Sequence, residues 1–287
     1  MGKLVFAAKV THVPTMIISE QEGPLKGTRQ QAIEGHHEIA RRARAAGADT
    51  FVVIDTHWLV NAAYHINAKP HFKGVFASNE FPQFIADMPF DFPGNPALGD
   101  LIAQKAVAKG VYTLSHQIES LDIEYGTLVP MRYMNPQGDL KVVSVSGWCA
   151  QHSHEASRKL GEAILEGIEA SDSNVALLAS GSLSHQIWPN DIYAENNGTF
   201  TISSEFNRQV DLMVLDMWQR GDWQTFLKIL PDYARHCSGE GDMHDTVMLL
   251  AALGWDKYRG KGEVIGEYFP SSGTGQVNVV LPVEGAS

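Results

Sequence analysis

The sequence predicts an α/β fold: one domain spanning residues 1–287, with a largely parallel central sheet flanked by helices. Three apolar runs carry the prediction. Leu4–Val10, Phe51–Ile54 and Val175–Ala179 each read as a fully buried strand, and each is followed at once by a polar stretch containing a histidine. An amphipathic helical pattern lies between the first two, which makes a βαβ unit with a right-handed crossover. In a parallel sheet, polar residues just past the strands gather at the carboxyl edge, where open α/β sheets bind ligands.

In chain order, Leu4–Val10 runs into Thr11-His12-Val13-Pro14. A polar turn through Gly23-Pro24 leads to a helix from about Arg29 to Ala46, with Ala32, Ile33, Ile39, Ala40 and Ala43 on its apolar face, and Gly47 stops it. The second strand follows and ends in Asp55-Thr56-His57-Trp58. From Leu59 to Asn95 the chain is rich in proline and aromatics and reads as an excursion over the sheet, apart from a short strand at Tyr64–Asn67. Asn95-Pro96 opens a helix that Gly110 ends. Leu128–Met131 reads as the approach to a strand at Leu140–Val145, and a helix from about His154 to Ala170 returns to the strand before His185. Ile202–Trp218 has an apolar helical face, Trp223–Leu230 reads as a short helix stopped by Pro231, and His244–Leu253 reads as a buried helix. Gln276–Leu281 is expected to be the closing strand.

The composition excludes several classes. A formal charge of -11 without a long Lys/Arg run argues against nucleic acid and anionic membrane as partners. No apolar stretch reaches the about 20 residues that span a bilayer. The cysteines, Cys149 and Cys237, form no disulfide framework or zinc-finger spacing, so a reducing, cytoplasmic location is expected.

His12 and His57 are the leading chemical pair. A lone histidine beyond a strand is ordinarily a satisfied polar residue; two, joined by a carboxylate, form the ligand set of non-haem iron oxygenases and of some zinc hydrolases. Asp55 and Trp58 flank His57 and are candidates to orient its ring. The carboxylate is sought in Gly239-Glu240-Gly241-Asp242-Met243-His244-Asp245. Glu240 leads because flanking glycines allow close backbone approach; Asp242 and Asp245 suit an N-cap or first helical turn, and His244 a first-turn position. His185, in Ser180-Gly181-Ser182-Leu183-Ser184-His185, is a candidate general acid or base. A serine nucleophile at Ser182 or Ser184 lacks the Gly-x-Ser-x-Gly elbow. Gly273-Thr274-Gly275 does not extend to a dinucleotide fingerprint.

Taken in order, Thr11-His12-Val13-Pro14, Asp55-Thr56-His57-Trp58, Glu124-Tyr125-Gly126-Thr127-Leu128-Val129-Pro130-Met131, Ser180–His185, Gly239-Glu240-Gly241 and Ser271–Asn278 resemble the class III (type II) extradiol catechol dioxygenases related to the protocatechuate 4,5-dioxygenase β subunit. Within that family the resemblance is closest to the members acting on 3,4-dihydroxyphenylacetate, and it covers essentially the whole chain. It implies Fe(II) held by His12, His57 and Glu240, with His185 as acid/base residue and a catechol and O2 as reactants. Tyr125 stands where many relatives carry histidine in Asp-His-Gly-Thr, and its phenol is a candidate for the same hydrogen-bonding role. A homo-oligomer is expected. For the acetate of such a substrate, Arg132, Arg235 and Lys69 are the candidate cations. The alternatives are a zinc-dependent hydrolase on the same residues and a non-catalytic binding protein on the same fold.

Overall fold

The computed structural model describes residues 1–283. Strands are β1 (Lys3–Val10), β2 (Thr50–Val60), β3 (Tyr64–Asn67), β4 (His71–Phe76), β5 (Met88–Pro93), β6 (Thr113–His116), β7 (Lys141–Cys149), β8 (Asn174–Ser180), β9 (Glu263–Ser271) and β10 (Thr274–Leu281). Helices are α1 (Thr15–Ile18), α2 (Gln30–Ala45), α3 (Pro96–Ala108), α4 (Tyr125–Met134), α5 (His154–Ala170), α6 (Glu205–Arg220), α7 (Trp223–His236) and α8 (His244–Ala252).

The main sheet has the order β6-β3-β7-β2-β8-β1-β10-β9, and β4 and β5 form a separate hairpin. Its centre, β7-β2-β8-β1, is parallel. β3 joins β7 antiparallel, and β10 and β9 close the other edge as an antiparallel hairpin. The alternation of side chains along the central strands divides the core in two. Val52, Ile54, Val143, Val145 and Leu177 face α3, α5 and α8; Phe51, Val53, Val142, Ala176 and Leu178 face α2 and α4. Each Val, Leu, Ile or Phe side chain among them, fully withdrawn from water, contributes about 1.5–3 kcal/mol. That two-sided burial is why each of these strands carries a run of consecutive apolar residues.

Several expectations change. Leu128–Met131, read as the approach to the strand at Leu140–Val145, lies inside α4, since a short apolar run carries no period that marks it as helix. α7 continues through Pro231 to His236, held by the buried Leu230, Tyr233 and Ala234. The excursion after β2 holds the β4–β5 hairpin as well as β3, and β6 and β9 are strands that the sequence did not announce. The β9–β10 turn has positive φ at Ser272 (55°) and Gly273 (96°), the handedness that matches the twist of a tight hairpin. Among the described residues no helix is long and apolar enough to cross a membrane.

Candidate metal centre

His12 stands two residues past β1. His57 lies in β2 itself, at a register shift against β7 between Asp55 and Leu59. β2 uses more residues than β7 there, and the bulge carries His57 out of the sheet. The close approach needs Gly147 on the facing strand, where a Cβ would sit 2.8 Å from the Asp55 carbonyl. Glu240 opens the turn before α8. That turn is strained: Gly241 (φ 53°), Asp242 (φ 53°) and Met243 (φ 62°) are consecutive left-handed residues, at about 1–2 kcal/mol for each non-glycine. The buried α8 anchors the far side.

His12, His57 and Glu240 converge with one ligand atom each, all within 4.8 Å of one another. Glu240 Oε1 is 3.2 Å from His12 Nε2 and 3.6 Å from His57 Nε2. Ligands about 2.1 Å from one ion stand about 3–3.5 Å apart when adjacent, so the spacing fits a single metal. Two imidazoles and a carboxylate on one face suit a first-row divalent ion with open positions.

The tautomer of His12 is set by neighbours. Pro130 inside α4 has no N–H to give the Gly126 carbonyl, and the Ser180 hydroxyl donates to that carbonyl instead, at 2.5 Å. With its proton so used, Ser180 Oγ accepts from His12 Nδ1 at 2.9 Å. In the neutral ring His12 Nε2 is therefore the nitrogen available to a metal, on the side facing Glu240. Gly126 is required beside it, because a Cβ there would meet Asp55 Oδ1 at 2.1 Å. Ser180→Ala is expected to weaken metal affinity about 10- to 100-fold with the fold intact. Competition against a chromophoric chelator measures this, and an unchanged affinity would refute the role.

Glu240 is buried and ionised. Burial pushes its carboxyl up, but His12, His185 and His57 together outweigh this and hold it well below the usual range. Its Oε2 accepts from Ser182 N at 2.5 Å, and Thr56 donates its hydroxyl to Oε1. Burial lowers the pKa of His12, but the Glu240 carboxylate more than compensates and the net shift is upward; a bound cation would compete for the same nitrogen. Burial, with His12 close by, holds His57 down to about 3, so it is neutral and able to ligate.

His185 follows β8, its Nε2 3.9 Å from Glu240 Oε2 and its ring partly exposed to the cleft. Its backbone N–H donates to Ser238 O at 2.9 Å. The preceding Ser184 is tied to the buried Asp211 by Oγ to Oδ2 at 2.7 Å, and Tyr233 and Tyr268 also donate to that carboxylate, each at 2.7 Å. Nothing in sequence marked this support. Tyr125, at the start of α4, places its ring 3.9 Å from that of His57 and donates its hydroxyl to Glu80 Oε2 at 3.2 Å. Burial, with Glu80 and Glu240 nearby, raises the phenol, which stays protonated. Glu80 also approaches His57 Nδ1, at 3.8 Å.

Other candidates lie elsewhere. Asp55 accepts from the His57 backbone N–H and the Thr127 hydroxyl, not from the His57 ring, and Trp58 faces His65. Asp242 is exposed and caps nothing, while Asp245 pairs with Lys9 at 2.6 Å. His244 bonds Ser157 away from the site. Among the described residues no serine hydroxyl bonds the His185 ring, and Ser184 Oγ turns to Asp211, so the triad reading is not supported. Arg132 pairs with Glu20, Lys69 donates to the Glu119 and Leu121 carbonyls, and Arg235 is exposed on α7; none lines the cleft. His65 and His116, without visible partners in sequence, stack on each other with nitrogens 2.7 Å apart.

Comparison with known proteins places the chain. A 3,4-dihydroxyphenylacetate 2,3-dioxygenase from Escherichia coli is 54% identical over 261 residues, covering 91% of this chain and 94% of that protein. A 2-aminophenol 1,6-dioxygenase beta subunit from a Pseudomonas species is 22% identical, covering 92% of each chain. In fold, the chain is similar to the crystal structure of uncharacterized protein JW3007 from Escherichia coli K12, with a TM-score of 0.62, 14% identity and coverage of 97% of this chain and all of that one. Residues 6–282 match the LigB model, described as the catalytic LigB subunit of aromatic ring-opening dioxygenase. The chain, with its two-histidine, one-carboxylate cluster at the sheet edge, belongs to the LigB family of aromatic ring-opening dioxygenases.

Proposed function

We propose that the chain cleaves 3,4-dihydroxyphenylacetate by extradiol opening, using Fe(II) and O2, to 5-carboxymethyl-2-hydroxymuconate semialdehyde. The carbon–carbon bond beside the diol breaks and both oxygen atoms enter the product, so no further reductant is needed. The observation that carries the reading is the convergence of His12, His57 and Glu240 on one face, with His185 beside them and the cleft open in front. The substrate assignment draws on the likeness to the Escherichia coli enzyme. One catalytic domain, assembling as a homo-oligomer, is part of the same proposal.

When bound, the ferrous ion supplies a Lewis-acid and one-electron centre that brings catechol and dioxygen together. The protein residues handle orientation and protons. His185 accepts a proton from the catechol as it binds and returns it to the product, a role that requires its ring to reach the substrate oxygen. Tyr125 stays protonated beside His57, and turning its hydroxyl away from Glu80 would let it donate toward oxygen that gains negative charge. Phe81, Phe84 and Ile187 line the cleft with apolar surface that excludes water from the ring.

Anaerobic loading with Fe(II), followed by oxygen uptake with 3,4-dihydroxyphenylacetate, protocatechuate and catechol, tests this. The expected outcome is one O2 consumed per 3,4-dihydroxyphenylacetate, a yellow ring-opened product, and much slower turnover of the other two. Absence of uptake with all three, together with hydrolytic activity in zinc-loaded protein, would favour the hydrolase.

A further inference from the structure

Among the described residues, Arg29 is a buried cation without an acidic partner. It is 5% exposed, ahead of α2, with its guanidinium 5.2 Å from the ring centroid of Phe200 and 5.0 Å from that of Phe269. Its Nε donates to Thr15 Oγ1 at 3.0 Å and its Nη2 to the Thr199 carbonyl at 2.7 Å. Among the described residues no Asp or Glu pairs with it, whereas Arg42, Arg44, Arg132 and Arg158 each hold a carboxylate. Burial pulls its guanidinium down to about 10, which leaves it charged at neutral pH. In a chain of formal charge -11, an uncompensated buried arginine is costly unless an anion answers it.

Thr15 connects this charge to the cleft. Its side chain lines the same cavity as His12, His57, His185 and Glu240. Because Thr15 Oγ1 accepts from Arg29, its own proton points elsewhere. Its other oxygen neighbour, Ser271 Oγ, is 3.4 Å away, long for a hydroxyl hydrogen bond, so a ligand oxygen at normal distance would compete well for the proton. Outside the metal-binding trio and His185, the charged side chain lining the cleft is Glu80, which repels an anion.

We propose that Thr15 and Arg29 form the subsite for a carboxylate on the ring substituent: the Thr15 hydroxyl donates the hydrogen bond, and Arg29 behind it supplies the opposing charge. The inference deepens the catechol-cleaving reading and rests on it. It selects substrates by an anionic side arm, through residues remote from the diol.

The test uses metal-loaded protein kept free of oxygen, titrated calorimetrically with 3,4-dihydroxyphenylacetate and with 4-methylcatechol, which lacks the carboxylate. For Arg29→Met and for Thr15→Val, the ratio of the two dissociation constants is expected to shift about 10- to 100-fold against the acid. Thr15→Ser, which keeps the hydroxyl, is expected to hold the wild-type ratio. An unchanged ratio in Thr15→Val overturns the subsite, even if both ligands bind more weakly, and Thr15→Val alone decides the matter should Arg29→Met fail to fold. If the unaltered protein binds neither catechol, the proposed function fails; a wild-type protein that binds both, with variants that do not discriminate, sinks only this inference.

Discussion

Glu240→Gln is expected to strip the metal and stop ring cleavage while leaving the fold in place. The substitution preserves shape but removes the charge shared between His12 and His57, 3.2 and 3.6 Å away. It also puts an amide where Ser182 N and the Thr56 hydroxyl now donate to carboxylate oxygens. A divalent ion then faces two neutral imidazoles and a weak amide ligand. Metal per chain after desalting should fall from about one to near zero, and kcat/KM by at least about 10^3-fold, equivalent to about 4 kcal/mol of barrier. Asp242→Asn, on an exposed carboxylate two residues away, should keep metal content and rate within about twofold. Full metal retention and normal turnover in Glu240→Gln would remove Glu240 from the site.

The second large effect is on stability. Lys9 in β1 and Asp245 in the first turn of α8 form an ion pair at 2.6 Å with side chains 1% and 0% exposed. Asp245 Oδ1 also accepts from Thr246 N at 2.6 Å. Removing one partner leaves a charge in a medium that cannot solvate it, so Lys9→Met or Asp245→Leu alone should destabilise by about 3–5 kcal/mol. In a chain of this size that lowers Tm by about 10 °C. Replacing both with apolar residues of similar volume should recover most of the loss, since neither charge is then stranded. Urea unfolding of the two single variants and the double variant closes the cycle; additive effects would show that the pair is not coupled. The pair also ties the strand leading to His12 to the helix behind Glu240, so the same charges that carry stability register two ligand-bearing segments.

Much of the fold was legible because it is written in local periodicity. β1, β2 and β8 are buried on both faces and so carry runs of consecutive apolar residues, while α2, α3 and α5 show helical spacing between clear stops. Reading failed where local and tertiary preferences part. β6 is four residues, Thr-Leu-Ser-His, that become a strand by pairing with β3. β9 is half exposed and mixed in character, so β10 rather than its own pattern makes it a strand. Leu128-Val129-Pro130-Met131 suits either structure until burial between α2 and β2 decides for helix.

The sequence by itself determined the α/β class, His12 and His185 beyond their strands, the glycine-flanked Glu240 and, through their order, the family; His57 proved to lie within β2. These are properties of residue type and spacing, which the chain carries whether folded or not. Only the tertiary structure decided that His12, His57 and Glu240 meet within 4.8 Å, that Ser180 sets the nitrogen His12 presents, and that Asp211 steadies the loop before His185. It alone separated Asp245, which answers Lys9, from Glu240, and left Arg29 buried without an acid among the described residues. The physical reason is that pairing and burial depend on distance through space, and residues from opposite ends of a chain acquire that distance only when the sheet and its covering helices have packed.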